Sequence, residues 1–284
     1  MQRHATAAAN VLKKADDADS LAAAALLLWE SDNKEALSLL ERSAGLAPER
    51  PEYAWLRLQF CAQSTTCEMK PLEARLLALA PRNGAASMVA LSIADKANDD
   101  AARISALEQL GRSDRVDIYW AALIARMGPA VAATGKMTLL EAVNAVIGKV
   151  LAVAIPSYAP FSNSCKGDRL NSERVVQLCR DAARALMRGD CLVTEMVGVA
   201  VAKRVWPQGS PEWKAAFDAR RLYSYRSRNW QESGCCETQN DASTREYLRL
   251  LATYPREQDV FKAQMIAHGL AIDPPADWVD PSQK

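Results

Sequence analysis

The tripeptide Leu-Ala-Pro occurs at residues 46–48 and again at 79–81, 33 residues apart, each time closing a segment with helical apolar periodicity. Leu-Glu recurs on a matching interval, at Leu40, Leu72 and Leu107, spaced by 32 and 35 residues. A recurrence near 34 residues limits the fold sharply, because a short paired-helix unit buries its apolar face only by stacking on its neighbours. The segments fall into pairs. "SLAAAALLLWE" is followed by "NKEALSLLERSAGLAP", "PEYAWLRLQFC" by "MKPLEARLLALAP", and "GAASMVALSIADKA" by "DDAARISALEQLG". "DRVDIYWAALIARM" begins a fourth pair. Asn, Asp or Ser stands just before many of these segments, as helix N-caps do, and almost no period-2 alternation occurs. The expected fold class is all-α.

With Pro48 set on the closing proline of the repeat, the small residue early in the second helix falls on Ala36 and the large apolar residue after it on Leu40. In these positions the chain resembles the tetratricopeptide repeat (TPR) superfamily over about residues 17–127. Ala24 stands where that family usually carries glycine. The resemblance implies a TPR-like array of antiparallel helix pairs and a binding role, with no catalytic residues to carry over.

"GPAVAATGKM", residues 128–137, interrupts the pattern with two glycines and a proline, and predicts a division into a repeat domain, 1–127, and a second helical domain, 128–284. Beyond it an apolar helix is expected over 138–155, then helices near 172–188, 191–206, 210–232, 242–254 and 256–270. Ser210 and Pro211 have the residue types of an N-cap and a first helical position. The apolar stretch from Leu139 to Ile155 carries Glu141, Asn144 and Lys149, so it reads as a core helix and not as a membrane span.

The chain has 284 residues, 49% of them hydrophobic, which suffices for a large core. Thirty-five basic against 34 acidic residues leave no broad field of the kind that attracts nucleic acid, and no nucleic-acid partner is expected. Seven cysteines stand at 61, 67, 165, 179, 191, 235 and 236, beside only two histidines, His4 and His268. No CxxC occurs, which removes the usual structural-zinc and thioredoxin-type patterns, so no metal and no cofactor are expected. Cys61 and Cys67 flank a short loop between two helical segments and are read as a disulfide, as are Cys165 and Cys179. Adjacent cysteines seldom bond to each other, so Cys191 is expected to take Cys236 or its neighbour Cys235 and leave one thiol free. Two disulfides place the protein in an oxidising compartment, the periplasm for a bacterial chain. The opening "MQRHATAAAN" lacks the apolar centre of an export signal, which predicts a cytoplasmic chain unless a leader is trimmed from it.

No GxSxG, GxxxxGK[ST] or GxGxxG occurs, and neither histidine sits in a catalytic motif. Glu195, in the apolar "CLVTEMVGVAVA", is the carboxylate to inspect for glycan hydrolysis, with pairing to an arginine as the alternative; Glu141 is a weaker inward candidate. Between Lys203 and Trp230, basic residues interleave with aromatic ones. Arg220, Arg221, Tyr223, Arg226, Arg228 and Trp230 are the partner-binding candidates, suited to a protein with an acidic surface. The sequence therefore predicts a non-enzymatic protein-protein interaction module of the bacterial cell envelope, either an adaptor or an immunity-type inhibitor of a secreted toxin. A cell-wall glycan enzyme using Glu195 and a cytosolic helical scaffold are the alternatives.

Overall fold

A computed structural model describes residues 2–64, 67–233 and 240–280. Among them the chain is all-α, with no strand and a single isolated bridge between Asn83 and Arg115. The helices are α1 (Gln2–Leu12), α2 (Ala18–Leu28), α3 (Asn33–Leu46), α4 (Pro51–Ala62), α5 (Met69–Leu79), α6 (Ala85–Lys96), α7 (Asp100–Arg112) and α8 (Trp120–Ala133). They continue with α9 (Leu139–Val153), α10 (Ala159–Ser164), α11 (Glu173–Leu186), α12 (Leu192–Val205), α13 (Pro211–Ser233), α14 (Asp241–Thr253) and α15 (Glu257–Ala267), with a 3-10 turn at Gly167–Asn171.

The helix starts follow local chemistry. Asp17, Asp32 and Asp99 each accept a hydrogen bond from a backbone N–H of the first turn that follows, those of Ser20, Glu35 and Ala102. Thr138 and Glu141 form a reciprocal capping box at the start of α9. Glu141 is thereby an exposed cap and not the inward carboxylate expected, and its bonds to Thr138 hold it below the usual carboxylate range. Ser210 accepts from the Trp213 N–H at 3.2 Å ahead of Pro211, as the sequence implies.

Helix α2 is apolar all round and is correspondingly buried on nearly every side. It packs on α1 and α3 and also on α8 and α9, while α14 packs on α8 and α9 from the later half. One continuous core results, reaching from Ala8 to Val260. The break expected at 128–137 therefore falls inside the packing, because Gly128 and Pro129 lie within α8. Gly128 lets α9 approach closely: a Cβ there would stand 2.8 Å from Val143 Cγ2. Pro129 is exposed, so the Ala125 carbonyl that its ring leaves without an N–H can be hydrated.

Both loop-flanking cysteine pairs are at disulfide distance. Cys61 and Cys67 have Cα atoms 5.4 Å apart, and Cys165 and Cys179 5.7 Å apart. Cys191, expected to take Cys236 or Cys235, is instead a buried free thiol that caps α12 and hydrogen-bonds the Thr194 hydroxyl at 3.1 Å. Cys235 and Cys236 lie outside the described residues.

The segment leading into α8 is pinned without helix or sheet. Asn83 donates to the Asp117 carbonyl at 2.8 Å and accepts from the Asp117 N–H at 2.9 Å. Asp190 accepts from the N–H groups of Ile118 and Trp120, each at 2.9 Å, one on each carboxylate oxygen. These bonds hold Tyr119 in the left-handed region at φ 60° and fix where α8 begins.

Candidate functional site

The N-terminal turn of α8 separates two open cavities. Trp120 faces one, and Tyr119 and Ala121 face the other. The first has a volume of about 560 Å³. Three of the helices that line it, α9, α13 and α15, contribute residues at helical spacing. Helix α9 supplies Ile147 and Leu151, four apart, and α13 supplies Tyr223, Ser227 and Trp230, in an i, i+4, i+7 stripe. Glu257, Val260, Phe261 and Gln264 form the equivalent stripe on α15, and Tyr247 enters from α14. Trp230 and Phe261 are in ring contact, with centroids 5.4 Å apart. The lining is predominantly apolar and aromatic, with one charged residue, Glu257.

Glu257 is held from two sides. Its backbone N–H donates to the Asp190 carbonyl at 2.8 Å, and its side chain accepts from the Leu192 N–H at 2.7 Å, closing the start of α12. Burial pushes its carboxyl up to about 7; the Leu192 N–H opposes that shift, and the charge of Glu195 adds to it. No lysine or arginine among the described residues pairs with Glu257.

The second cavity, about 580 Å³, is bordered by Asp19, Asp117, Asp190 and Arg126. Each of these charges is already engaged. Asp19 accepts from Arg50 and Tyr53, Asp117 from Arg115, and Arg126 pairs with Glu52 at 3.0 Å. Asp190 has both oxygens on backbone N–H groups; burial pushes it up to about 8, with the nearby Asp117 adding to the shift. Asp19 thereby ties α2 to the start of α4, and Asp190 ties the segment before α12 to the start of α8, whereas the Asp117–Arg115 pair is local to the segment before α8.

Glu195 is buried, and Arg256 donates a hydrogen bond to it. Its carboxyl is raised by burial and pulled back by Arg256. It is thus one half of an ion pair and not an isolated acid. The basic stretch on α13 also turns largely inward. Arg221 donates to the carbonyls of Trp278, Pro275 and Ala276, with its guanidinium over the Trp278 ring. Arg226, buried, donates to the Ile272 carbonyl at 2.9 Å, and desolvation lowers its pKa. Arg220 lies over the Tyr223 ring, and Arg228 is exposed and paired with Glu232 at 2.6 Å.

Of the six partner-binding candidates, the structure brings Tyr223 and Trp230 together in the aromatic cavity and turns Arg221 and Arg226 to clasping the C-terminal segment. Sequence reasoning missed Glu257, Tyr247 and Phe261. The spacing of Glu257, Val260, Phe261 and Gln264 was visible, but which helix that stripe faces depends on a contact between segments far apart in the chain. Comparison with protein-family models, with curated proteins and with solved structures gives no match. The class that fold and site define is an all-α protein with an aromatic-lined surface cavity.

Proposed function

We propose that this chain is a non-enzymatic protein-binding module of the bacterial cell envelope, an adaptor or an immunity-type inhibitor of a secreted toxin, and that the aromatic cavity receives an anchor side chain of its partner. The observation that carries this reading is the cavity itself: about 560 Å³, lined by five aromatic residues and a single charged one. Binding hot spots are built in this way, from desolvated aromatic pockets that take one large side chain. The consecutive packing of α2 on α3, α3 on α4, α4 on α5 and α6 on α7 supports a TPR-like arrangement of the first half. Two cysteine pairs at disulfide distance support an oxidising compartment, which in a bacterium is the periplasm.

Affinity capture from an envelope extract of the source organism tests the reading, using the intact protein and a Ser227→Trp variant whose added indole fills the cavity from α13. A protein retained by the first and lost from the second is the expected result. Equal retention by both, with the variant folded, removes the cavity from the interface.

A further inference from the structure

Glu257 is a half-buried carboxyl that pairs with no cation among the described residues. Acidic groups in such settings are usually neutralised by a neighbouring lysine or arginine, as Glu195 is by Arg256 in the same region. At Glu257 the local influences are burial, one backbone N–H and the negative charge of Glu195, and none of them supplies a positive charge. The nearby basic groups are engaged elsewhere: Arg256 with Glu195, Arg226 with the Ile272 carbonyl and Arg220 over Tyr223. Around the same cavity stand Trp120, Tyr223, Trp230, Tyr247 and Phe261, whose ring faces carry the negative lobe of the aromatic quadrupole.

We infer that the aromatic cavity is a binding site for an organic ammonium group, with Glu257 as its counter-ion and the surrounding rings as its cation–π partners. An anion would meet an uncompensated carboxylate. A neutral apolar ligand would strip water from Glu257 and return no charge. An alkylammonium satisfies both parts of the lining, with the alkyl stem against Ile147 and Leu151 and the charged head near Glu257. A lysine side chain of a protein partner and a free alkylamine share this chemistry. The first rests on the binder reading above, and the second does not.

Proton linkage gives the site a signature. The titratable groups around Glu257 are Asp190, whose carbonyl accepts from the Glu257 N–H, Glu195 and Cys191 of the α12 start, Tyr247 of α14 and the adjoining Arg256. Burial raises Cys191 to about 12 and Tyr247 further still, and Arg256 is held by Glu195; Asp190, raised to about 8, titrates in the same window as Glu257, so the share of the pH dependence that belongs to Glu257 is the share that Glu257→Gln removes. Ammonium affinity therefore rises with pH as Glu257 ionises.

The experiment is calorimetric titration of the full chain with n-butylammonium, Nα-acetyl-lysine methylamide, and the neutral n-butanol and Nα-acetyl-norleucine methylamide. Saturable ammonium binding at least about 10-fold tighter than that of the neutral analogue, strengthening from pH 5.5 to 8.5, is expected; about 1.4 kcal/mol corresponds to that ratio. In Glu257→Gln, which keeps an acceptor for the Leu192 N–H, the ammonium preference and its pH dependence should both vanish. Equal binding of charged and neutral probes, a preference that survives Glu257→Gln, or no saturable binding overturns the inference. If the variant fails to fold, the ratio of charged to neutral affinity in the unmodified protein decides: about 10-fold or more upholds the inference and equality overturns it. Tighter binding of the lysine derivative than of butylammonium assigns the ligand to a partner's lysine, and equal binding assigns it to the amine alone. Partner capture that persists without any ammonium preference sinks this inference and leaves the binder reading standing, whereas ammonium binding without partner capture does the reverse.

Discussion

At the scale of single residues, Glu257 ties stability to pH in the opposite sense to an ordinary surface acid. Its carboxyl sits at about 7 in the folded chain against 4.5 unperturbed, so around neutral pH the folded state holds a proton that the unfolded chain has released. Its favourable contribution is complete below the unfolded value and is lost as pH rises through about 7. Glu257→Gln does not titrate. Thermal melts should therefore show the variant gaining on the parent from pH 5 to pH 8; a variant that holds a constant offset or loses ground over that range refutes the assignment. Little of this could be read from the sequence. Glu257 follows Pro255 and Arg256 in a polar stretch, and its burial comes from Leu192 and Tyr247, which no local pattern connects to it. Glu195 was the converse case: its apolar neighbours announced the burial, but the arginine that answers it lies 61 residues along the chain.

Among the helices, glycine separates positions where two elements touch from positions where they do not. At Gly198, where α12 crosses α11, a Cβ would stand 2.6 Å from the Met187 backbone nitrogen and 2.9 Å from Leu186 Cβ. Backbone cannot swing aside as a side-chain tip can, so Gly198→Ala forces the two helices apart and should cost about 1–3 kcal/mol. Gly148 in α9 is exposed with nothing within 4 Å of its Cβ position, and Gly148→Ala should stabilise by about 0.5–1 kcal/mol through helix propensity alone. Urea denaturation of both variants checks the pair, and shifts of the same sign contradict the packing. Helix starts were legible because capping is local: Asp17, Asp32, Asp99 and Ser210 all declare themselves within one turn, whereas the Thr138 cap was passed over and its partner Glu141 read as an inward carboxylate. Gly128 and Pro129 misled for the same reason. A glycine that admits Val143 and a proline on an exposed helix face look, in isolation, like a break. The arginines of α13 were equally ambiguous, since solvent and the carbonyl groups of residues 272–278 offer a guanidinium similar hydrogen bonds.

Over the whole molecule, α2 and α14 both pack on α8 and α9, across the boundary expected at residue 128. Melting followed by calorimetry should give a single cooperative transition, with calorimetric and van't Hoff enthalpies equal; two resolved transitions would restore the division. The described cysteines lie at different depths in this fold, and that sets the order in which reductant reaches them. Cys165 and Cys179 are both fully buried, joining the end of α10 to α11, and their sulfurs meet solvent only when that region opens. Cys67 is half-buried in the connection between α4 and α5, so the Cys61–Cys67 pair presents a sulfur to an attacking thiolate without such opening. Cys191 is buried, hydrogen-bonded to Thr194, and pushed up to about 12, which keeps it a thiol and poorly nucleophilic. Under native conditions with a mild reductant and an alkylating agent, Cys61 and Cys67 should be modified first and Cys165, Cys179 and Cys191 only once denaturant is added. Peptide mapping along that time course reads the order directly, and early alkylation of Cys165 or Cys179 would show that the α10–α11 junction opens more readily than its burial implies.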